Sequence, residues 1–249
     1  MRLVLAAWLL LALAGCASGP QPIRGQLHYG MDDAPEGKRL LWPAAPEVPR
    51  FLYTGTLTGE PNFRQPGGET SALARLGRAV VGLDDPAIAP VVLQRPSGLV
   101  GDEAGRLYVS DSSRRAVFVF DERAGELQVW DRATSLAGFV SPSGLALAPG
   151  GGLYVADADL AAVFRLDAQG QPQAVIGQGL LQRPTGLARD PKRGLLYVAD
   201  TYAHDIKVFD DAGALLHVIG RRGSADGEFN YPTHLALSLI HISEPTRPY

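Results

Sequence analysis

Few residues in this chain have the type and placement to do chemistry. His234 stands in a Thr-His-Leu stretch where three earlier copies of the stretch carry Gly98, Gly144 and Gly186. An imidazole there could ligate a metal or act as a general base, or it could be a polar filler in a wet channel. Asp111, Asp157 and Asp200 each close a Leu-Tyr-Val-x-Asp run. An aspartate at a strand end is expected to accept backbone N–H bonds in the adjoining turn. A ring of acids holding a cation is the sharper alternative, and the turn role is the one expected. Cys16 is the single cysteine, which leaves no intramolecular disulfide and no cysteine-based zinc cluster. His204 and Asp205 fall in a turn and are expected to be solvated, while Arg95 and Arg183 are expected to pair with turn acids. No phosphate-binding Gly-rich loop, nucleophile elbow or His-Glu-x-x-His pattern occurs.

The elements that position these residues repeat. Arg95-Pro96-Ser97-Gly98-Leu99 returns as Ser141-Pro142-Ser143-Gly144-Leu145 and as Arg183-Pro184-Thr185-Gly186-Leu187, and Tyr231-Pro232-Thr233-His234-Leu235 opens a fourth copy. The spacings between the third positions are 46, 42 and 48. Leu107-Tyr108-Val109, Leu153-Tyr154-Val155 and Leu196-Tyr197-Val198 keep step, and a third run ends at Asp121, Asp167 and Asp210. A fourth apolar run closes each unit, as in Ala174-Val175-Ile176 and His217-Val218-Ile219. Four short β-rich runs per period of about 40 to 45 residues are the mark of a β-propeller blade. Both faces of each run carry bulk because blades pack on both sides. The glycine after Pro-Ser/Thr marks the innermost strand, where backbones crowd the central channel and a side chain would obstruct.

This pattern resembles the NHL repeat family over roughly residues 91 to 236. The resemblance implies an all-β, partial propeller with about three complete blades out of a usual six. It also implies that an N-terminal strand, read at residues 51–57, completes the last blade. Residues 69–81 have helical apolar spacing and are expected to pack on the outside or on one face of the ring. Sheets left open by missing blades would expose edges and fold poorly.

Both ends fall outside that domain. Met1-Arg2, a short apolar run and Gly15-Cys16 read as a secretory signal over residues 1–15, too short to span a bilayer. Leu13-Ala14-Gly15-Cys16 resembles the bacterial lipobox, which implies cleavage before Cys16 and its acylation. Ala17 in place of aspartate implies the outer membrane, facing the periplasm. Residues 16–50, rich in proline and glycine, are expected to form a semi-extended tether. Residues 237–249 read as the in-frame translation of a sequencing-library adapter, which places the native reading's end near Ala236 and removes His241 from any site. A real C-terminal strand is the alternative.

Composition narrows the function. The chain has 249 residues and a net charge of −3, with no basic excess for nucleic acid. Its 29 glycines and 19 prolines favour many turns. The expected function is an envelope-anchored scaffold that binds a protein, peptide or glycan. The alternative is a metal-dependent lyase or lactonase-like hydrolase, in which Ca or Zn would be held by channel residues. No cofactor is required by the visible sequence, and an enzyme is the less expected reading.

Overall fold

The repeated runs become strands because their residues alternate between two buried faces. In Arg106–Asp111, Tyr108 packs toward the second unit and Val109 packs the opposite way. The structure, a computed structural model, describes residues 22–29, 40–44, 46–64 and 90–237. The signal segment, Cys16, the helical spacing at 69–81 and residues 238–249 lie outside them.

Five short strands come first: β1 (Ile23–Arg24), β2 (Gln26–Leu27), β3 (Leu41–Trp42), β4 (Phe51–Leu52) and β5 (Phe63–Arg64). Three four-stranded antiparallel blades follow. Blade 1 is β6 (Pro96–Gly101), β7 (Arg106–Asp111), β8 (Ala116–Asp121) and β9 (Glu126–Trp130). Blade 2 is β10 (Pro142–Leu147), β11 (Leu153–Asp157), β12 (Ala162–Leu166) and β13 (Pro172–Ile176). Blade 3 is β14 (Pro184–Asp190), β15 (Leu195–Asp200), β16 (Asp205–Asp210) and β17 (Leu215–Ile219). The described residues form an all-β, partial β-propeller.

Blades stack face to face through apolar clusters. Tyr108, Val117 and Trp130 of blade 1 meet Leu153, Val155 and Phe164 of blade 2. Tyr154, Val163 and Ile176 of blade 2 meet Leu196, Val198 and Phe209 of blade 3. Each large side chain buried this way contributes roughly 1.5–3 kcal/mol. That outweighs the net of about 1 kcal/mol for a single hydrogen bond, so the faces hold the stack and the polar contacts near the axis set its register.

The N-terminal region differs from its sequence reading. The strand expected over 51–57 is only Phe51–Leu52, and it pairs with Leu41–Trp42 rather than with a blade. Beyond it, Gly55 and Gly59 take φ of 142° and 136°, which bend the chain away from a strand. The segment expected as a semi-extended tether is partly docked: Ile23 pairs with Leu127, so β1 adds a fifth strand to the outer edge of blade 1. Phe63 stacks on Phe120 at 6.1 Å, and with Ile23 and Leu27 it covers the flank of blade 1 facing away from blade 2.

Candidate functional site

The inner strands β6, β10 and β14 line a cavity of about 360 Å³ along the axis. Each contributes its Ser/Thr-Gly-Leu triplet, and Thr233, His234 and Leu235 continue the wall. The hydroxyls bind the neighbouring blade. Ser97 donates to the Pro142 carbonyl at 3.2 Å, Ser143 to Pro184 at 3.3 Å and Thr185 to Thr233 at 3.0 Å. The glycines make this approach possible. A Cβ on Gly98 would lie 2.2 Å from the Ser143 carbonyl oxygen, and one on Gly144 would lie 2.4 Å from that of Thr185. The crowding expected at the glycine slot is therefore with the next blade's backbone.

His234 is exposed on the channel wall, with Nδ1 2.9 Å from the Thr233 hydroxyl. A hydroxyl beside an imidazole is the start of a nucleophile–base pair, but the base needs a third group to orient it, and the described residues supply none. They also hold no group of three or more His, Cys, Asp or Glu placed to share a metal ion. The channel offers hydroxyls, glycine backbone and leucine.

Asp111, Asp157 and Asp200 lie at one end of the blades, all fully buried. Asp111 and Asp157 each join two loops, and Asp200 holds one. Asp111 accepts the backbone N–H groups of Gln94, Arg95 and Arg114. Asp157 accepts those of Val140 at 2.7 Å, Ser141, Asp159 and Leu160. Asp200 accepts those of Gln182 at 2.9 Å and Arg183 at 2.8 Å. One carboxylate thus fixes the loop entering the inner strand and, in blades 1 and 2, the turn after the second strand. That turn passes through left-handed backbone at Arg115, Ala161 and His204, with φ of 55°, 51° and 58°.

Blade 3 adds an ion cluster. Lys207 Nζ donates to Asp200 Oδ2 at 2.9 Å and to Asp205 Oδ1 at 2.7 Å. Burial pushes the Lys207 ammonium down, but hydrogen bonds and charge from Asp205 and Asp200 outweigh it and raise its pKa. Arg183 pairs with Asp159 at 2.6 Å and lies over the Tyr202 ring. His204 is buried rather than solvated: its ring packs 4.3 Å from Tyr231 and its Nδ1 accepts the Tyr231 N–H.

The same end carries exposed apolar side chains. Leu136, Val140, Leu160, Leu180, Tyr202 and Tyr231 all sit in the loops leading into inner strands or in the turns after second strands, and Leu136 is 94% exposed. Among the described residues, the turns at the opposite end (102–105, 122–125, 148–152, 167–171, 190–194 and 211–214) carry no exposed large hydrophobic residue. They hold polar clusters instead. Arg189 holds the Asp211 carboxyl below the usual carboxylate range, and burial raises the pKa of the Tyr108 hydroxyl, which donates to Asp102. Sequence reasoning missed the apolar rim. Its signal was leucine in turns where polar residues are the rule.

The NHL repeat family matches residues 181–209, the stretch from Leu181 through β14 and β15 into β16. The chain contains an NHL repeat. The E3 ubiquitin-protein ligase NHLRC1 of Homo sapiens is 36% identical over 62 residues, 25% of this chain and 16% of that protein. Its Rattus norvegicus counterpart is 37% identical over 65 residues, 26% and 16% of the two chains. The chain thus spans about a sixth of the length of the curated relatives it matches. Among solved structures, virginiamycin B lyase from Staphylococcus aureus superposes with a TM-score of 0.44 at 13% identity, covering 56% of this chain and 44% of that one. Kuenenia stuttgartiensis hydrazine synthase gives a TM-score of 0.45 at 23% identity, covering 60% and 41%.

Proposed function

We propose that this chain is a binding scaffold that recognises a protein or peptide segment on the rim carrying Asp111, Asp157 and Asp200. The observation that carries the reading is the one-sided distribution of exposed Leu and Tyr side chains. Aromatic and apolar anchors beside arginine are the composition of a recognition surface, and Tyr202 under Arg183 is such a pair. The loops bearing Val140, Leu160 and Leu180 are bonded to the buried carboxylates of Asp157 and Asp200, so little ordering entropy is lost on binding there. The NHL repeat fits a scaffold as well, although fold alone does not fix function.

A photo-crosslinking residue placed at Leu136, Leu180 or Tyr202 tests this in the native host. The expected result is one recurrent adduct from that rim and none from Glu122, Gln169 or Lys192 at the other. Arg183→Glu with Tyr202→Ala should abolish it. Equal labelling from both rims, or a glycan in place of a polypeptide, overturns the reading.

The scaffold's address is proposed from the N-terminal sequence. Acylation at Cys16 would hold the propeller at the envelope, on the periplasmic face of the outer membrane. Labelling with an alkynyl fatty acid should be lost in Cys16→Ser, and Ala17→Asp should move the protein to the inner membrane. Labelling that survives Cys16→Ser refutes the anchor.

A further inference from the structure

Strands β3 and β4 form a two-stranded ribbon outside every blade sheet. Leu40, Leu41, Trp42, Val48, Phe51, Leu52 and Tyr53 are all exposed, from 43% for Tyr53 to 81% for Val48. Trp42 and Phe51 pair across the ribbon with ring centroids 5.7 Å apart, and the adjacent pair Leu41 and Leu52 points to the opposite face. A ribbon apolar on one face fits a groove. A ribbon apolar on both faces needs cover on both, and a lipid interface that surrounds it supplies that at once.

The rest of its chemistry fits a lipid interface. Trp and Tyr are the side chains that prefer the headgroup level, and arginine can lie there with its stem buried. Arg50 adjoins Phe51, and Lys38 and Arg39 precede Leu40 in sequence, which suits an anionic leaflet. The connection carries Pro43, Pro46 and Pro49, so three backbone positions bring no N–H group into a medium that cannot bond it. Arg50 N–H to the Trp42 carbonyl and Tyr53 N–H to that of Leu40, both 2.9 Å, satisfy the arms. Within residues 38–53 Glu47 is the opposing group, an acid at the tip that limits the ribbon to shallow insertion, and Asp32, Asp33 and Glu36 precede the basic pair in sequence. Cys16 precedes the docked segment at Pro22 by six residues, a reach of about 20 Å. An acyl chain on Cys16 would therefore place the outer edge of blade 1 close to the bilayer.

We propose that the ribbon of residues 40–53 inserts into the headgroup–acyl boundary of an anionic phospholipid bilayer and seats the propeller against it. Its nearness to a membrane rests on the anchor reading; its affinity for one does not. A chain beginning at Ala17 keeps every described residue and carries no lipid, so it isolates the ribbon. With vesicles of phosphatidylethanolamine and phosphatidylglycerol it should co-sediment, and its tryptophan emission should shift to the blue and be quenched by brominated acyl chains. Trp42→Ser with Phe51→Ser should lower the partition coefficient by about tenfold or more with the melting temperature unchanged. Absence of binding, binding that survives the double substitution, or emission that brominated lipid leaves unquenched overturns the proposal. The two readings fail separately. An unacylated Cys16 with vesicle binding intact supports the ribbon and refutes the anchor, and an acylated Cys16 with an inert ribbon refutes the ribbon alone.

Discussion

Lys207 donates to the fully buried Asp200 at 2.9 Å from a register position that the two preceding blades fill with phenylalanine. Val109 pairs with Phe118, Val155 with Phe164 and Val198 with Lys207. Asp205 likewise stands where Ala116 and Ala162 stand. Blade 3 thus replaces an Ala and Phe pair with an Asp and Lys pair around the same turn carboxylate. Lys207→Met removes the cation and leaves two acids facing each other. It should cost about 3 kcal/mol, since breaking a buried pair leaves an uncompensated charge. Urea unfolding at neutral pH measures the loss. Because the folded Lys207 pKa is raised, its contribution is complete below the unfolded value of about 10.4 and fades as pH rises through the folded one.

Asp157→Asn tests the turn carboxylate directly. Its oxygens accept four backbone N–H groups from two loops. Asparagine keeps one oxygen and turns an NH₂ toward donors that then lack an acceptor. Each buried donor left unpaired costs about 1–3 kcal/mol. The variant should lose about 2–4 kcal/mol on that basis, read as a lower melting temperature by circular dichroism. An unchanged melt would show that these bonds add nothing net.

The parts of the molecule legible in the sequence are those with a period. Gly98, Gly144 and Gly186 mark inner strands, and Tyr108, Tyr154 and Tyr197 mark the second strands, because each copy faces the same packing problem. Departures from the period were legible as differences but not as directions. The glycine slot was found, yet only coordinates show that its missing Cβ would strike the next blade at 2.2 to 2.7 Å. His204 looked solvated because a turn usually is, and its burial depends on Tyr231, 27 residues away. The exposed leucines of the rim carry no periodic signal. Their meaning comes from sharing one end of the blades.

Asp211 and Arg189 give the acid limb of stability. Two hydrogen bonds of 2.9 and 2.6 Å from the guanidinium hold the Asp211 carboxyl below its ordinary value. The folded pKa lies below the unfolded one, so the stabilisation is present above about pH 4 and is lost as pH falls through the folded value. Asp211 is partly exposed, which keeps its worth to about 1 kcal/mol or less. Asp211→Asn should be less stable than wild type at neutral pH, and the two stabilities should draw together as pH falls below about 4. A difference that is constant with pH would mean that the charge does not matter.

Ala161 and Gly144 hold opposite kinds of backbone, and exchanging their types should move stability in opposite directions. Ala161 has φ of 51° in a turn, where its Cβ is strained by about 1–2 kcal/mol. Ala161→Gly relieves that strain and gives back part of it as unfolded-chain entropy. The net gain should be about 0.5–1 kcal/mol, which raises the melting temperature by roughly 1–4 °C. Gly144 is an inner-strand residue outside the left-handed region, and a Cβ there meets Thr185 O at 2.4 Å, Leu187 N at 2.9 Å and Gly186 Cα at 3.0 Å. All three are backbone atoms, so no side chain can turn away. Gly144→Ala must push blades 2 and 3 apart near the axis, at a cost of about 1–3 kcal/mol or more. It should also loosen the Ser143 bond to the Pro184 carbonyl, which spans the same boundary at 3.3 Å. Hydrogen exchange at Leu187 and Thr185 would register the opening. If Gly144→Ala melts at the wild-type temperature, the close approach of the two inner strands is not what holds blade 2 against blade 3.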